Sequence, residues 1–168
     1  MVNFKRWLVH IFSPQWRWRG AFPKSSLKKI EQAIKASESR HSGELRFAIE
    51  TTLQPNRVWQ GMTARQRATE IFARLHVWDT EENTGVLIYL QLADREVHIL
   101  ADRGINKRVA QAEWDAVAQS IEAHFRQRDF LGGSLEGIER ITRILASHFP
   151  ASADNPDELP NEPVFVQG

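Results

Sequence analysis

Apolar positions along this chain recur at helical spacing in four stretches and at strand spacing in three others. In "PKSSLKKIEQAIKASES", Leu27, Ile30 and Ile34 fall on one face, and Pro23 suits a first helical turn. After "TARQ", where Thr63 and Gln66 have capping-box spacing, Ala68, Ile71, Phe72 and Leu75 form a second stripe. Trp114, Val117, Ile121 and Phe125 form a third, and Leu131, Leu135, Ile138, Ile141 and Leu145 a fourth. "GELRFAIETTL" instead alternates, with Leu45, Phe47, Ile49, Thr51 and Leu53 on one side, which predicts a strand with one face better buried than the other. Val86 to Leu90 is continuously apolar, as in a central strand covered on both faces. Val97, Ile99 and Ala101 alternate again.

The short turn "LADRE" leaves no room for a crossover, so the second and third strands pair as an antiparallel hairpin. The first strand, the helix after Thr63 and the second strand make a βαβ unit, with "QPNRVWQG" as a loop before the helix. The pattern predicts an α/β sandwich: a mixed sheet of three to four strands with helices on its faces. It also divides the chain. Residues 1–22 are a basic, aromatic amino-terminal extension, 23–150 the domain, and 151–168 a proline-rich acidic tail expected to be poorly ordered.

Charge sharpens that division. The net charge of +1 splits into +7 over residues 1–40, −2 over 41–150 and −4 over 151–168. The extension interleaves Phe4, Trp7, Phe12, Trp16, Trp18 and Phe22 with Lys5, Arg6, Arg17 and Arg19, and the first acid is Glu31. Three readings fit it: an interfacial membrane anchor, a nucleic-acid contact, or a segment folded over its own domain or a partner. The absence of a basic cluster in residues 41–150 speaks against nucleic acid. No apolar run approaches the ~20 residues of a membrane span, and the start lacks a signal peptide's cleavage pattern. The expectation is a cytoplasmic protein with peripheral membrane contact through residues 1–22. With no cysteine, disulfides, thiol nucleophiles and thiolate-ligated metals are excluded.

Candidate chemistry gathers where the hairpin ends in "ADRGI". Antiparallel pairing brings the end of the third strand beside the start of the second, so Asp102 belongs near "DTEEN", that is Asp79, Glu81, Glu82 and Asn83. Four carboxylates and an amide on one rim, with no cysteine or paired histidines nearby, suit Ca²⁺ or Mg²⁺ better than zinc or copper. Asp79, Glu82, Asn83 and Asp102 are the expected ligands. The competing reading is a plain turn in which Asp102 caps the next helix and the acidic loop is solvated. An EF-hand is excluded, because Thr84 stands where that loop needs glycine and no distal Glu completes it. There is no glycine-rich phosphate loop, no H-E-x-x-H and no G-x-S-x-G. Gly132 and Gly133 serve packing or the start of a helix, and His98 reads as a hydrogen-bonded strand histidine.

"ELRFAIETTL", "ATEIFARLHVWDTEENTGVLIYLQLADREVHILADRGI" and "FLGGSLEGIERI" resemble the TPM domain over about residues 24–149. The most telling part is the acidic or amide residue before "GVL", here "NTGVLIYL", with a glycine-containing exit from the next strand. The resemblance implies a Rossmann-like α/β/α sandwich, calcium binding, in some members an acid phosphatase label, and in bacteria a partner of the LemA type. This chain departs from the family pattern at three places. Asn83 replaces a common Asp, Thr84 replaces a common Asn, and "ADRGI" replaces a G-Y-G-L-E-like exit. Two function classes follow. The leading one is a binding or accessory module with Ca²⁺ on the acidic rim, Mg²⁺ being the alternative. The rival is a metal-assisted phosphomonoesterase, with Asp102 and Glu82 as ligands and Arg103 steadying the phosphate.

Overall fold

The structure is a computed structural model that describes residues 4–13, 18, 20–152 and 157–167; Trp16, Arg17 and Arg19 of the aromatic segment lie outside them. The elements are α1 (Phe4–Phe12), α2 (Lys24–Glu38), β1 (Glu44–Glu50), α3 (Pro55–Trp59), α4 (Ala64–Arg74), β2 (Gly85–Gln91), β3 (Glu96–Ala101), α5 (Arg103–Asn106), α6 (Gln111–Arg126), α7 (Phe130–His148) and β4 (Val164–Val166). The four strands form a mixed sheet in the order β3-β2-β1-β4. β1 pairs parallel with β2 and with β4, and β2 pairs antiparallel with β3. This is an α/β sandwich, as the apolar pattern predicts.

Two cores hold the sheet between its layers. Leu45, Phe47, Ile49, Val86, Ile88, Leu90, Val97 and Ile99 face Ile30 and Ile34 of α2, Trp114, Val117 and Ile121 of α6, and Ile138, Ile141 and Leu145 of α7. On the opposite face Ala48, Leu87 and Tyr89 meet Ala64, Ala68 and Ile71 of α4, together with Leu159 and Val166 from the carboxyl-terminal tail. The four helices expected from the apolar stripes form as α2, α4, α6 and α7. α4 starts on the Thr63–Gln66 capping box, with both reciprocal bonds made. Gly132 donates its N–H to the Asp129 carboxylate at the start of α7, and a Cβ on Gly133 would lie 2.7 Å from the His124 Cβ, so both glycines serve the α6–α7 corner.

Three expectations need correction. β1 is buried at all seven positions rather than on one face. Its polar side chains lie inward because partners distant in sequence satisfy them. Glu50, fully buried, accepts from both Arg67 of α4 and the Tyr89 hydroxyl, and Arg46 donates to the carbonyls of Pro160 and Glu162. The tail is not uniformly loose: "VFV" adds β4 to the sheet edge, and Arg67 and Arg74 both donate to the Gln167 carbonyl. "QPNRVWQG" contains the short helix α3, with Pro55 in its first turn. Of the three readings of residues 1–22, a segment folded over its own domain matches the described part: α1 packs on α3 and Phe22 is 3% exposed against Phe125 and Phe130.

Candidate functional site

The register of the hairpin sets the rim. Val86 pairs with Ala101, and the next residue, Asp102, donates its N–H to the Gly85 carbonyl at 2.8 Å. The chain then turns into α5 directly over the acidic loop. Gly104 donates its N–H to the Asn83 carbonyl at 3.1 Å, and a Cβ on Gly104 would lie 2.5 Å from the Asn83 carbonyl oxygen and 2.7 Å from that of Glu82. Only glycine tolerates so close an approach of two backbones. Asn83 reaches this position in the left-handed region (φ 56), which asparagine adopts more readily than most residues.

Of the four expected ligands, the structure joins three at this point. Asn83 and Asp102 flank Arg103, whose Nε–H donates to Asn83 Oδ1 at 2.8 Å and whose backbone N–H donates to Asp102 Oδ1 at 2.7 Å. Glu82 enters through its carbonyl beside Gly104, with its residue exposed. Asp79 stands at the far end of the loop, exposed, its N–H on the His76 carbonyl. Both readings of Asp102 therefore have a structural counterpart. One carboxylate oxygen caps α5, and the other, Oδ2, is shielded from solvent with no hydrogen-bond partner among the described residues. A buried carboxylate oxygen without a donor is costly, which makes this atom a candidate cation ligand.

A cleft of about 590 Å³ adjoins the rim, lined by Glu82, Thr84, Gly104, Lys107, Arg108 and Phe149 among others. Arg108 is committed to its wall: it donates to the His148 carbonyl and lies 4.8 Å from the centre of the Phe149 ring. The cleft lies at the amino-terminal ends of the parallel strands β1 and β2, where Glu44 and Gly85 pair. Open α/β sheets usually bind ligands at the opposite, carboxyl ends. The hairpin return of β3, which ends at this edge, is what brings acids and a glycine turn here.

Sequence reasoning missed a second acidic group on the same edge. Ligand atoms of Glu38, Glu44 and Asp157 lie within 4.8 Å of one another, the one grouping of three or more acidic or histidine side chains this close among the described residues. Asp79, Glu82 and Asp102 do not form such a group. Burial, followed by repulsion from Glu44, pushes the Glu38 carboxyl up to about 8. Burial also raises Glu44 to about 7, against the opposing hydrogen bond from the Leu159 N–H. Both carboxyls therefore hold their protons more tightly than a solvent-exposed glutamate. Glu44 heads a strand whose polar positions turned out to be buried, and Asp157 belongs to the tail; neither carries a signal in the apolar pattern.

The order of strands, the two helical layers and the acidic rim define a class: an α/β sandwich with its candidate site at a hairpin exit. The TPM domain family model matches residues 19–144, and this chain belongs to that family. Among solved structures, the BA42 protein from the psychrophilic bacterium Bizionia argentinensis is similar at 34% identity with a TM-score of 0.75, covering 87% of this chain and 94% of that one. The N-terminal domain of a protein from P. gingivalis shares the fold at 17% identity and a TM-score of 0.62, over 80% of this chain and 84% of that one. No curated protein matches the chain. Among the described residues, no helix is long and apolar enough to cross a membrane.

Proposed function

We propose that this TPM domain is a binding module whose rim of Glu82, Asn83 and Asp102 takes a divalent cation, Ca²⁺ in preference to Mg²⁺. The observation that carries the reading is the Asp102 Oδ2 atom, shielded from water and without a donor among the described residues, in a turn that packs through Gly104 on the Glu82 and Asn83 carbonyls. Hard oxygen donors of this kind match the chemistry of calcium, which accepts irregular sets of carboxylate, amide and carbonyl ligands. Magnesium demands stricter octahedral geometry, which a loop held by Arg103 and Gly104 is poorly placed to provide. Only Asp102 and Glu82 bring negative charge, and Arg103 competes for Asn83, so affinity is modest. Isothermal titration of the full chain with CaCl₂ tests this directly. Heat of binding in the wild type, lost in Asp102→Asn, supports the site; equal binding in the variant sinks it.

The second reading is phosphomonoester hydrolysis in the cleft beside the rim, whose lining includes both Lys107 and Glu82. In it, a metal held by Asp102 and Glu82 supplies the Lewis acid. Arg103 is a weaker phosphate partner than the sequence suggests, because its Nε–H is spent on Asn83. Turnover of p-nitrophenyl phosphate by highly purified protein, abolished by Asp102→Ala and restored by neither metal, supports the enzyme. Turnover that survives the substitution excludes this mechanism.

A further inference from the structure

Helix α1 is built inside out. A surface helix ordinarily turns its apolar stripe toward the core and its charges toward water. Here Arg6 and His10 face inward. Arg6 grips Asp94 with two N–H groups, each at 2.8 Å, and donates a third to the Met62 carbonyl. His10, 3% exposed, lies 3.0 Å from the same carboxylate and accepts the Leu53 N–H on its other nitrogen. Asp94 lies on the β2–β3 turn and is nearly buried, so this latch fixes the rotation of α1 about its own axis.

The face turned outward is consequently apolar. Phe4 is 58% exposed, Phe12 74%, Ile11 39% and Val9 38%. At 3.6 residues per turn, Phe4, Leu8, Ile11 and Phe12 fall within an arc of about 100°. Trp59 of α3, itself largely exposed, extends the patch through an edge contact with Trp7 at 5.5 Å. A groove of about 380 Å³ runs beside the helix, floored by Leu8, Val9, Phe12, Trp18 and Ala93, with exposed Lys5 and Arg95 at its margin and no carboxylate in its lining.

We propose that this face docks in the plane of an anionic phospholipid bilayer. The charge selects this occupant. The groove lining holds Lys5 and Arg95 and no acid, and an apolar groove with cations in its lining complements negatively charged headgroups. Tryptophan and phenylalanine at the boundary, with lysine and arginine beside them, are the side chains that settle at the headgroup level. The helix has nine residues, which suits a position in the interface and not across it.

The test is co-sedimentation of the full chain with vesicles of phosphatidylcholine alone and of phosphatidylcholine mixed equally with phosphatidylglycerol. The structure predicts partitioning onto the mixed vesicles, little onto the neutral ones, and weakening with added salt. Phe4→Ser and Phe12→Ser each reduce partitioning about tenfold or more. Lys5→Glu and Arg95→Glu reduce it about fivefold each. All four residues are exposed, so their variants keep the wild-type melting temperature. Failure to bind the mixed vesicles at low salt overturns the proposal, as does binding that Phe12→Ser leaves unchanged. So does a dimer in sedimentation velocity that Phe12→Ser dissolves, since a second copy would then cover the face.

Discussion

Replacing Gly104 with alanine tests whether the rim is as close-packed as the structure places it. The added Cβ would sit 2.5 Å from the Asn83 carbonyl oxygen and 2.7 Å from that of Glu82. Both obstacles are backbone atoms, so no side-chain rotation relieves the contact. Either α5 or the loop before β2 must retreat by a substantial fraction of an ångström. Overpacking of this kind costs about 1–3 kcal/mol. The retreat also stretches the 3.1 Å bond from Gly104 N–H to Asn83, a further loss of about 0.5–1.5 kcal/mol. Stiffening of the unfolded chain returns about 0.4–1 kcal/mol. At the midpoints the balance is a destabilisation of about 2.3 kcal/mol, or a fall in Tm of roughly 5–9 °C for a chain of this size. Calorimetric melting against Gly20→Ala is the assay. An alanine Cβ at Gly20 meets no atom within 4 Å, and its cost is within about 0.5 kcal/mol. Equal melting temperatures for the two variants would refute the close approach of α5 to the acidic loop, and with it the geometry of the rim.

Three further outcomes follow from the same structure. Leu87 is fully buried on the central strand, so Leu87→Asp should prevent folding, while Arg95→Asp in the turn should move Tm by less than about 2 °C; circular dichroism distinguishes them. Removing the carboxylate in Asp94→Ala strands Arg6 and His10 beneath α1, and hydrogen exchange of the α1 amides should accelerate about hundredfold; unchanged protection would show that the latch does not hold the helix. Glu38 and Glu44 have folded-state values raised to about 8 and about 7 by burial, so the folded state binds more protons than the unfolded one between pH 4.5 and 8. Their contribution is therefore intact below about pH 4.5 and is lost as pH rises to about 8. Tm should fall across that interval more steeply in the wild type than in Glu38→Gln, and parallel pH profiles would contradict the assignment.

The central hairpin was legible because its signals are local. Val86 to Leu90 is apolar without interruption, "LADRE" is too short for a crossover, and pairing arithmetic alone puts Asp102 next to Asn83. What was illegible depends on partners far along the chain. Glu44, Arg46 and Glu50 read as the solvent side of β1, yet they are buried because α4 and the tail supply their hydrogen bonds. β4 has three residues, too few to establish a period, and proline precedes it. For α1 the apolar stripe is real but faces the wrong way for a core, because Arg6 and His10 find Asp94 more than eighty residues later. The rim's residues could be brought together from sequence, whereas the commitment of Arg103 Nε to Asn83 could only be seen in three dimensions.

Calcium titration of the full chain, followed through backbone amide chemical shifts, tests the rim most directly. The account predicts saturable shifts concentrated at Glu82 to Gly85 and Ala101 to Ile105, absent in Asp102→Asn, with the amides of Glu38, Glu44 and Asp157 little affected. If saturating calcium moves none of the rim amides, or moves those around Glu38 and Glu44 instead, the proposed rim site is wrong, and "ADRGI" is only the exit from a strand.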